Sequence, residues 1–221
     1  MLKPIFIEAR DLPDAWFSCI WEILDNGKKY TIDRGSYVGQ QRLEFDYITV
    51  HIKYPGARPL LPDIPPAYGI PNPVADDYLD DYMPYLMTNV KMEGEDYTYG
   101  SYLYKQIDEV ISMFKKDGYG TNQAYMTVGD TKSIYLNDPP CLRGIDCRIS
   151  EGKLHFIIYF RSWDLFNGFP ANLGAIQLLK EYMSAEIGVD DGEIIAASKG
   201  LHLYDYAWPL AELRTMQKIR S

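Results

Sequence analysis

Apolar residues at intervals of three and four positions predict three helices along the chain. The first begins after Asp11, a residue type that caps helices, and ends at Gly27. The second is marked by apolar residues from Leu103 onward and stops at Gly118. The third covers about 171–187.

Alternating and continuous apolar runs predict strands between these helices. Alternation lies within 36–53, a buried strand covers 153–160, and two short strands follow near 193–198 and 201–206. Seven prolines in 55–73 exclude a helix or a central strand, so this segment is a long ordered loop or a cover over a site. Helices and strands mix without a regular β–α–β alternation, which predicts an α+β fold with a mixed sheet.

Length and composition narrow the class of protein. A chain of 221 residues that is 47% hydrophobic can bury a sizeable core, so we expect a single domain over residues 1–221. The net charge of −9, without a basic run, argues against binding to a nucleic-acid polymer, although converging arginines would allow a small anionic substrate.

The cysteines and the apolar runs bear on the setting of the protein. Three scattered cysteines, with no C-x-x-C pair and no zinc-ligand spacing, predict a reducing, cytoplasmic setting and no metal site. The sequence has no signal-peptide pattern and no apolar run of membrane-spanning length, so we expect no contact with a membrane.

One cysteine has the surroundings of a nucleophile. Pro139 and Pro140 fix the backbone directly before Cys141, which opens an apparent strand. A catalytic thiolate needs such a rigid mount and a nearby positive charge. The alternative is that Cys141 is a small buried hydrophobe, the commoner role of a lone cysteine.

Three further groups follow toward the C-terminus. Arg161 and Ser162 end the strand 153–160, where a guanidinium and a hydroxyl can bind a phosphate together. Asn172 offers an amide donor and acceptor that can read a pyrimidine edge, or it simply caps a helix. His202 and Tyr204 alternate on a strand, so they share a face and can bind a sugar hydroxyl or form a satisfied core pair.

Together these motifs resemble the thymidylate synthase family, most closely its compact archaeal branch. The family signature is found here, in order, as Pro140-Cys141, Arg161-Ser162-Trp163-Asp164, Gly168-Phe169-Pro170-Ala171-Asn172 and His202-Leu203-Tyr204. Weaker similarity upstream involves Asp33-Arg34 and Tyr99-Gly100.

The resemblance implies a covalent mechanism on deoxyuridylate (dUMP). Cys141 would add to C6 of the pyrimidine, and C5 would take a methylene group and then hydride from a reduced pterin, giving dTMP. The pterin would be methylene-tetrahydrofolate or a methanopterin-type analogue. The implied binding roles are Arg34, Arg161 and Ser162 for the phosphate, His202 and Tyr204 for the 3′-hydroxyl, Asn172 for uracil, Asp164 for the pterin beside the nucleotide, and Tyr99 for removal of the C5 proton.

Departures from the family pattern are equally specific. Leu142 stands where the family has a histidine, and Asp146 replaces a glutamine. The region 118–123 lacks the arginine pair that the family supplies to a partner subunit, for which Arg143 is a candidate substitute. The glutamate that serves as general acid and base has no clear counterpart, and Asp81 is the candidate for its position.

Three functions fit these residues. The first is a thymidylate synthase, favoured because an asparagine suits uracil; the second is a hydroxymethylase acting on dCMP; the third is a non-catalytic nucleotide-binding protein. The family fold implies a large mixed sheet flanked by helices and homodimers that pack sheet against sheet. The missing arginine pair leaves a monomer open as well.

Overall fold

A computed structural model describes residues 1–33, 37–75 and 77–220 of the chain. Arg34, which the sequence predicts as a phosphate ligand, lies outside the described residues. The elements within them are the helices α1 (Leu12–Asn26), α2 (Tyr78–Met87), α3 (Tyr99–Asp117), α4 (Gly168–Ile187) and α5 (Trp208–Thr215), and the strands β1 (Pro4–Ala9), β2 (Lys28–Thr31), β3 (Gln41–Glu44), β4 (Tyr47–Ile52), β5 (Tyr125–Thr127), β6 (Leu142–Ser150), β7 (Lys153–Phe160), β8 (Trp163–Asp164), β9 (Asp190–Ser198) and β10 (Leu201–Tyr204).

The strands form two sheets. The larger has six strands in the order β1-β4-β9-β7-β6-β5, and the smaller has four in the order β2-β3-β10-β8. In the larger sheet β1 is parallel to β4 and β7 to β9, while its remaining neighbours are antiparallel. The predicted α+β class with a large mixed sheet flanked by helices is therefore confirmed.

The core lies between the larger sheet and helices α1, α3 and α4. Burial alternates along β4, where Ile48, Val50 and Ile52 are fully buried and Thr49 and His51 face the other side. This period of two is the expected result when one face of a sheet is covered by helices.

The predicted helices are found, with some changes at their ends. The side chain of Asp11 accepts a hydrogen bond from the amide of Asp14 and caps α1 as predicted. Helix α3 begins at Tyr99, four residues before the first residue that marked it, because Thr98 and Ser101 form a reciprocal capping box.

The predicted strand region 36–53 divides between the two sheets, with β3 in the smaller and β4 in the larger. The proline-rich segment 55–73 contains no strand and only the short 3₁₀ turn Pro66–Tyr68, in agreement with its missing amide donors. The sequence did not predict α2, which is short and contains Pro84.

Candidate active site

A cavity of about 600 Å³, here called the cysteine cavity, brings most of the predicted residues together. Its lining includes six of them, namely Cys141, Arg161, Ser162, Asp164, His202 and Tyr204. Asp164 and His202 meet here because β8 lies parallel to β10 in the smaller sheet, where the two residues are paired.

A tight hairpin places Cys141 beside Arg161. Strands β6 and β7 are joined by Glu151 and Gly152, both with positive φ, the two-residue turn that suits the twist of antiparallel strands. The pairing extends to the open end of the hairpin, where the amide of Arg161 donates to the carbonyl of Cys141 at 2.8 Å. The nucleophile and its cation are therefore positioned by strand register.

The side chain of Arg161 also supports the loop before the cysteine. Its Nε donates to the carbonyl of Pro140 at 3.1 Å, and its Nη2 donates to the carbonyl of Pro139 and to Oδ1 of Asp138. The guanidinium therefore fixes the diproline mount of Cys141 while it lines the cavity.

The thiol of Cys141 is half-buried, and its pKa is the balance of two effects. Burial raises the pKa above the ordinary value, Arg161 lowers it, and Asp138 raises it further. Burial dominates, so the resting thiol holds its proton at neutral pH. Arg161 lowers the pKa of the Cys141 thiol, as predicted, but by less than burial raises it.

His202 and Tyr204 form a neutral pair at the other end of the cavity. The Nδ1 of His202 lies 2.8 Å from the carbonyl of Gly200, which can only accept, so Nδ1 carries the proton and Nε2 is an acceptor. Among the described residues this Nε2 has no hydrogen-bond partner. Burial lowers the pKa of His202 to about 4 and raises that of Tyr204 to about 12. A neutral acceptor beside a phenol donor is suited to a hydroxyl group.

Asp164 caps helix α4. Its carboxylate accepts from the amides of Phe166, Asn167 and Gly168 at 3.0–3.2 Å. The helix therefore starts three residues earlier than the predicted range, and Asn172 lies inside it rather than capping it. The predicted contact between Asp164 and a pterin stays a prediction.

Asn172 lies outside the cysteine cavity, in an adjoining cavity of about 380 Å³ that Asp164 also lines. Its Oδ1 accepts from the indole Nε1 of Trp163 at 2.9 Å, and its Nδ2 donates to the hydroxyl of Tyr82 at 2.7 Å. The amide is therefore held between the smaller sheet and α2.

Sequence reasoning missed a row of tyrosines on α2. Tyr78, Tyr82 and Tyr85 follow one another at helical spacing, with ring centroids 5.7 and 5.3 Å apart, and Tyr85 meets Tyr99 edge to face at 5.3 Å. Burial raises the pKa of Tyr82 and Tyr99 well above the ordinary value, so both phenols stay protonated. The intervals of four and three positions were a signal that could have revealed this face.

The predicted Tyr99 sits behind the cysteine. Its hydroxyl accepts weakly from the amide of Leu142 at 3.4 Å, one residue after Cys141. The following residue, Gly100, allows this position because a Cβ there would lie 2.1 Å from the carbonyl oxygen of Thr88, at the end of α2. The Tyr99-Gly100 motif thus has a packing reason.

The structure does not bring Asp81 to the cysteine cavity. Asp81 is exposed on α2 and lines a separate cavity of about 470 Å³ together with the tyrosine row. The guanidinium of Arg143 lies against the turn at Gly129 and does not line the cysteine cavity.

Sequence reasoning missed Arg42, which lines the cysteine cavity from β3 and pairs with Glu44 at 2.7 Å.

Comparison with known proteins identifies the class that this fold and cavity define. The family model described as "Thymidylate synthase" matches residues 77–220, about two thirds of the chain. The chain belongs to the thymidylate synthase family. This confirms the resemblance drawn from the sequence.

Several archaeal proteins match nearly the whole length of the chain. Proteins named "Putative thymidylate synthase" from Methanosarcina acetivorans and Methanosarcina mazei are 28% and 29% identical, over 93% of this chain and 92% of each relative. A protein of the same name from Methanothermobacter thermautotrophicus is 23% identical over 93% of this chain and 96% of its own length.

Within residues 1–33, 37–75 and 77–220, no three His, Cys, Asp or Glu side chains are arranged to hold a metal ion. In the same described ranges, no helix is both long and apolar enough to span a bilayer.

Proposed function

We propose that the chain is a thymidylate synthase that methylates C5 of dUMP, giving dTMP, with a methylene-carrying reduced pterin as the carbon donor. The observation that carries this proposal is the content of the cysteine cavity: a thiol, an arginine–serine pair and a neutral His–Tyr pair line one space. A nucleophile, an anion site and a hydroxyl site in one cavity match the three parts of a pyrimidine nucleotide.

The ends of the nucleotide are bound by different chemistry. Arg161 and Ser162 take the phosphate, because a guanidinium and a hydroxyl offer charge-assisted and directional donors. Arg42 adds a second cation to the cavity lining, and Arg34 is the further phosphate ligand expected from the family pattern. His202 accepts from the 3′-hydroxyl through Nε2, while the hydroxyl of Tyr204 donates to the same oxygen.

Cys141 performs the covalent step. Its thiol gives up a proton, the Sγ–C6 bond forms, and the C5–C6 π pair moves to C5, which becomes the carbon nucleophile. Since burial raises the pKa of the resting thiol, deprotonation has to accompany nucleotide binding, with Arg161 as the charge that favours the thiolate. The family pattern assigns Tyr99 to ordering the water that receives the C5 proton, and the contact of its hydroxyl with the amide after Cys141 supports this role. Asp81 is the candidate acid–base group and would need α2 to move.

The tyrosine row on α2 fits a flat ring. Tyr78, Tyr82 and Tyr85 line a cavity of about 470 Å³ whose surface is mostly apolar, next to Asn172 and Asp164. Aromatic side chains of this kind stack well on a heterocycle. A reduced pterin, folate or methanopterin in type, supplies the methylene carbon and a hydride and leaves oxidised to its dihydro form.

The proposal is tested by trapping Cys141. Incubation with 5-fluoro-dUMP and a methylene-pterin is expected to give a covalent adduct on Cys141 by mass spectrometry, because fluorine at C5 cannot leave as a proton does. Cys141→Ser should give no adduct, whereas Cys147→Ser, a buried cysteine on β6, should react as the wild type does. Absence of the adduct with both tetrahydrofolate and methanopterin donors would reject the proposal, and a hydroxymethylated product from dCMP would replace it.

The expected homodimer has support in the open face of the larger sheet. Phe6 and Ile157 project from this face and are 65% and 42% exposed. Thr49 pairs with Phe6 in the strand register, and a second copy packing sheet against sheet would cover all three residues. Sedimentation of the wild type should give a dimer that Ile157→Asp dissociates, whereas Met92→Asp, on an exposed loop, should leave it intact.

A further inference from the structure

One hydrogen bond fixes which way the amide of Asn172 points. The indole Nε1 of Trp163 donates to Oδ1 of Asn172 at 2.9 Å. An indole nitrogen can only donate, so the oxygen and not the NH₂ group of Asn172 must face it. A flipped amide would put two donors against each other and leave a buried N–H unpaired.

Trp163 cannot turn away to accommodate a flip. Its ring is 3% exposed and stacks on Phe160 with centroids 4.0 Å apart and planes 6° from parallel. Phe169 packs on it at 4.5 Å, and its backbone amide donates to Gly200 at 3.0 Å. The direction of the indole N–H is therefore set by packing on several sides.

The other partner of Asn172 does not make this choice. Tyr82 accepts from Nδ2 at 2.7 Å, but a phenol hydroxyl both donates and accepts, so it would bind either end of the amide. Loss of Tyr82 would weaken the position of Asn172 without freeing its orientation. Of the two hydrogen-bond partners of Asn172 within the described residues, Trp163 is the one that fixes the orientation of the amide.

We propose that Trp163 is a positioning residue that determines base specificity by locking the amide of Asn172. The proposal rests on the proposed function, together with the role in reading the pyrimidine that the family resemblance implies for Asn172. Uracil presents the O4 acceptor beside the N3–H donor, and cytosine presents the reverse order. An amide that can flip would bind either base. An amide held in one orientation binds one base only, and in a dUMP enzyme that base is uracil.

Binding of dUMP and dCMP, measured by calorimetry without pterin, tests the lock. The wild type should prefer dUMP. Trp163→Phe keeps the stacked ring but removes the N–H, and should raise the dCMP-to-dUMP affinity ratio at least about tenfold, equivalent to about 1.4 kcal/mol. A purely structural role would change both affinities and leave the ratio unchanged.

Two matched controls isolate the orientation. Tyr82→Phe removes the other partner of Asn172 and should lower affinity for both nucleotides at a constant ratio. Trp208→Phe removes a different indole hydrogen bond, to the carbonyl of Leu203, and should also keep the ratio. If Trp163→Phe does not fold, benzothienylalanine at position 163, which replaces N–H by sulfur in the same shape, should raise the ratio in its place.

The outcomes separate the inference from the proposed function. If the wild type prefers dUMP and Trp163→Phe has the same dCMP-to-dUMP affinity ratio, the proposed role of Trp163 is overturned, whereas the proposed binding of dUMP is supported. A wild type that prefers dCMP and loses that preference in the variant would support the lock and overturn the proposed substrate. A wild type that binds neither nucleotide would overturn both.

Discussion

Replacement of Asp164 by alanine should destabilise the protein through the start of α4. Three consecutive backbone amides, at Phe166, Asn167 and Gly168, donate to this one carboxylate. The amides of Asn167 and Gly168 lie at the helix start, where amides lack intrahelical partners, and Phe166 directly precedes it. Asp164→Ala removes all three acceptor contacts while it leaves the apolar packing of the helix in place.

The size of the effect follows from two contributions. Loss of a side-chain cap costs about 1–2 kcal/mol. Loss of a negative charge at a helix N-terminus costs about 0.3–1 kcal/mol more. The total of roughly 1–3 kcal/mol corresponds to a fall in melting temperature of about 2–12 °C for a chain of this length.

Thermal and urea unfolding of the ligand-free protein provide the assay, with Asn167→Ala as the matched control. Asn167 occupies the position before the first helical residue, where a capping side chain is usual, but its own side chain makes no cap hydrogen bond. Asn167→Ala should therefore stay within about 0.5 kcal/mol of the wild type. Equal, small effects of the two substitutions would refute the assignment of Asp164 as the cap.

Other predictions concern the cysteine, a glycine and a histidine. The pH dependence of Cys141 alkylation by iodoacetamide should have a midpoint above about pH 8.5, the ordinary thiol pKa. Arg161→Gln should move this midpoint higher, because it removes the charge that lowers the thiol pKa. A shift to lower pH would contradict this assignment. Gly100→Ala should cost about 1–3 kcal/mol in urea unfolding, because the new Cβ meets the backbone of Thr88, and an unchanged midpoint would exclude that close approach. The pKa of His202 in the folded protein, about 4, lies below its value in the unfolded chain. Between these two pKa values the unfolded chain binds more protons than the folded one. The free energy of unfolding should therefore fall by on the order of 3 kcal/mol as the pH drops from the higher to the lower value. His202→Gln should remove that part of the pH dependence, and an unchanged acid limb would refute it.

Local patterns in the sequence were sufficient for most of the longer elements and for the hairpin that carries the central contact of the site. The apolar run 153–160 is β7, and the Glu151-Gly152 pair before it provides the positive φ values of a two-residue turn. That turn sets the register of β6 against β7 as far as Gly144, and a one-residue shift between Gly144 and Leu142 then brings Cys141 next to Arg161. The turn alone would place Cys141 opposite Ser162, so the sequence could have predicted the hairpin, whereas the contact with Arg161 also depends on that shift.

The parts that the sequence did not reveal depend on contacts between distant segments. Asn172 resembles a helix cap by residue type. The carboxylate of Asp164, however, accepts a hydrogen bond from the amide of Gly168, where α4 begins. The helix therefore starts four residues before Asn172. Arg42 is one arginine on a short strand, and only the pairing of β3 with β10 places it at the cavity. Helix α2 is short and interrupted by Pro84, so intrinsic propensity gave no signal for it.

The four consecutive residues Arg161-Ser162-Trp163-Asp164 explain why so short a motif is informative. Arg161 and Ser162 line the cysteine cavity, and Arg161 also holds the mount of Cys141. Trp163 fixes the amide of Asn172, and Asp164 starts the helix on which Asn172 lies. Each side chain makes a different contact that a neighbour cannot supply, so substitutions within the motif should have separable effects. Arg161 variants should alter thiol chemistry, Trp163 variants the choice of base, and Asp164 variants stability, because the three contacts act on different elements of the same site.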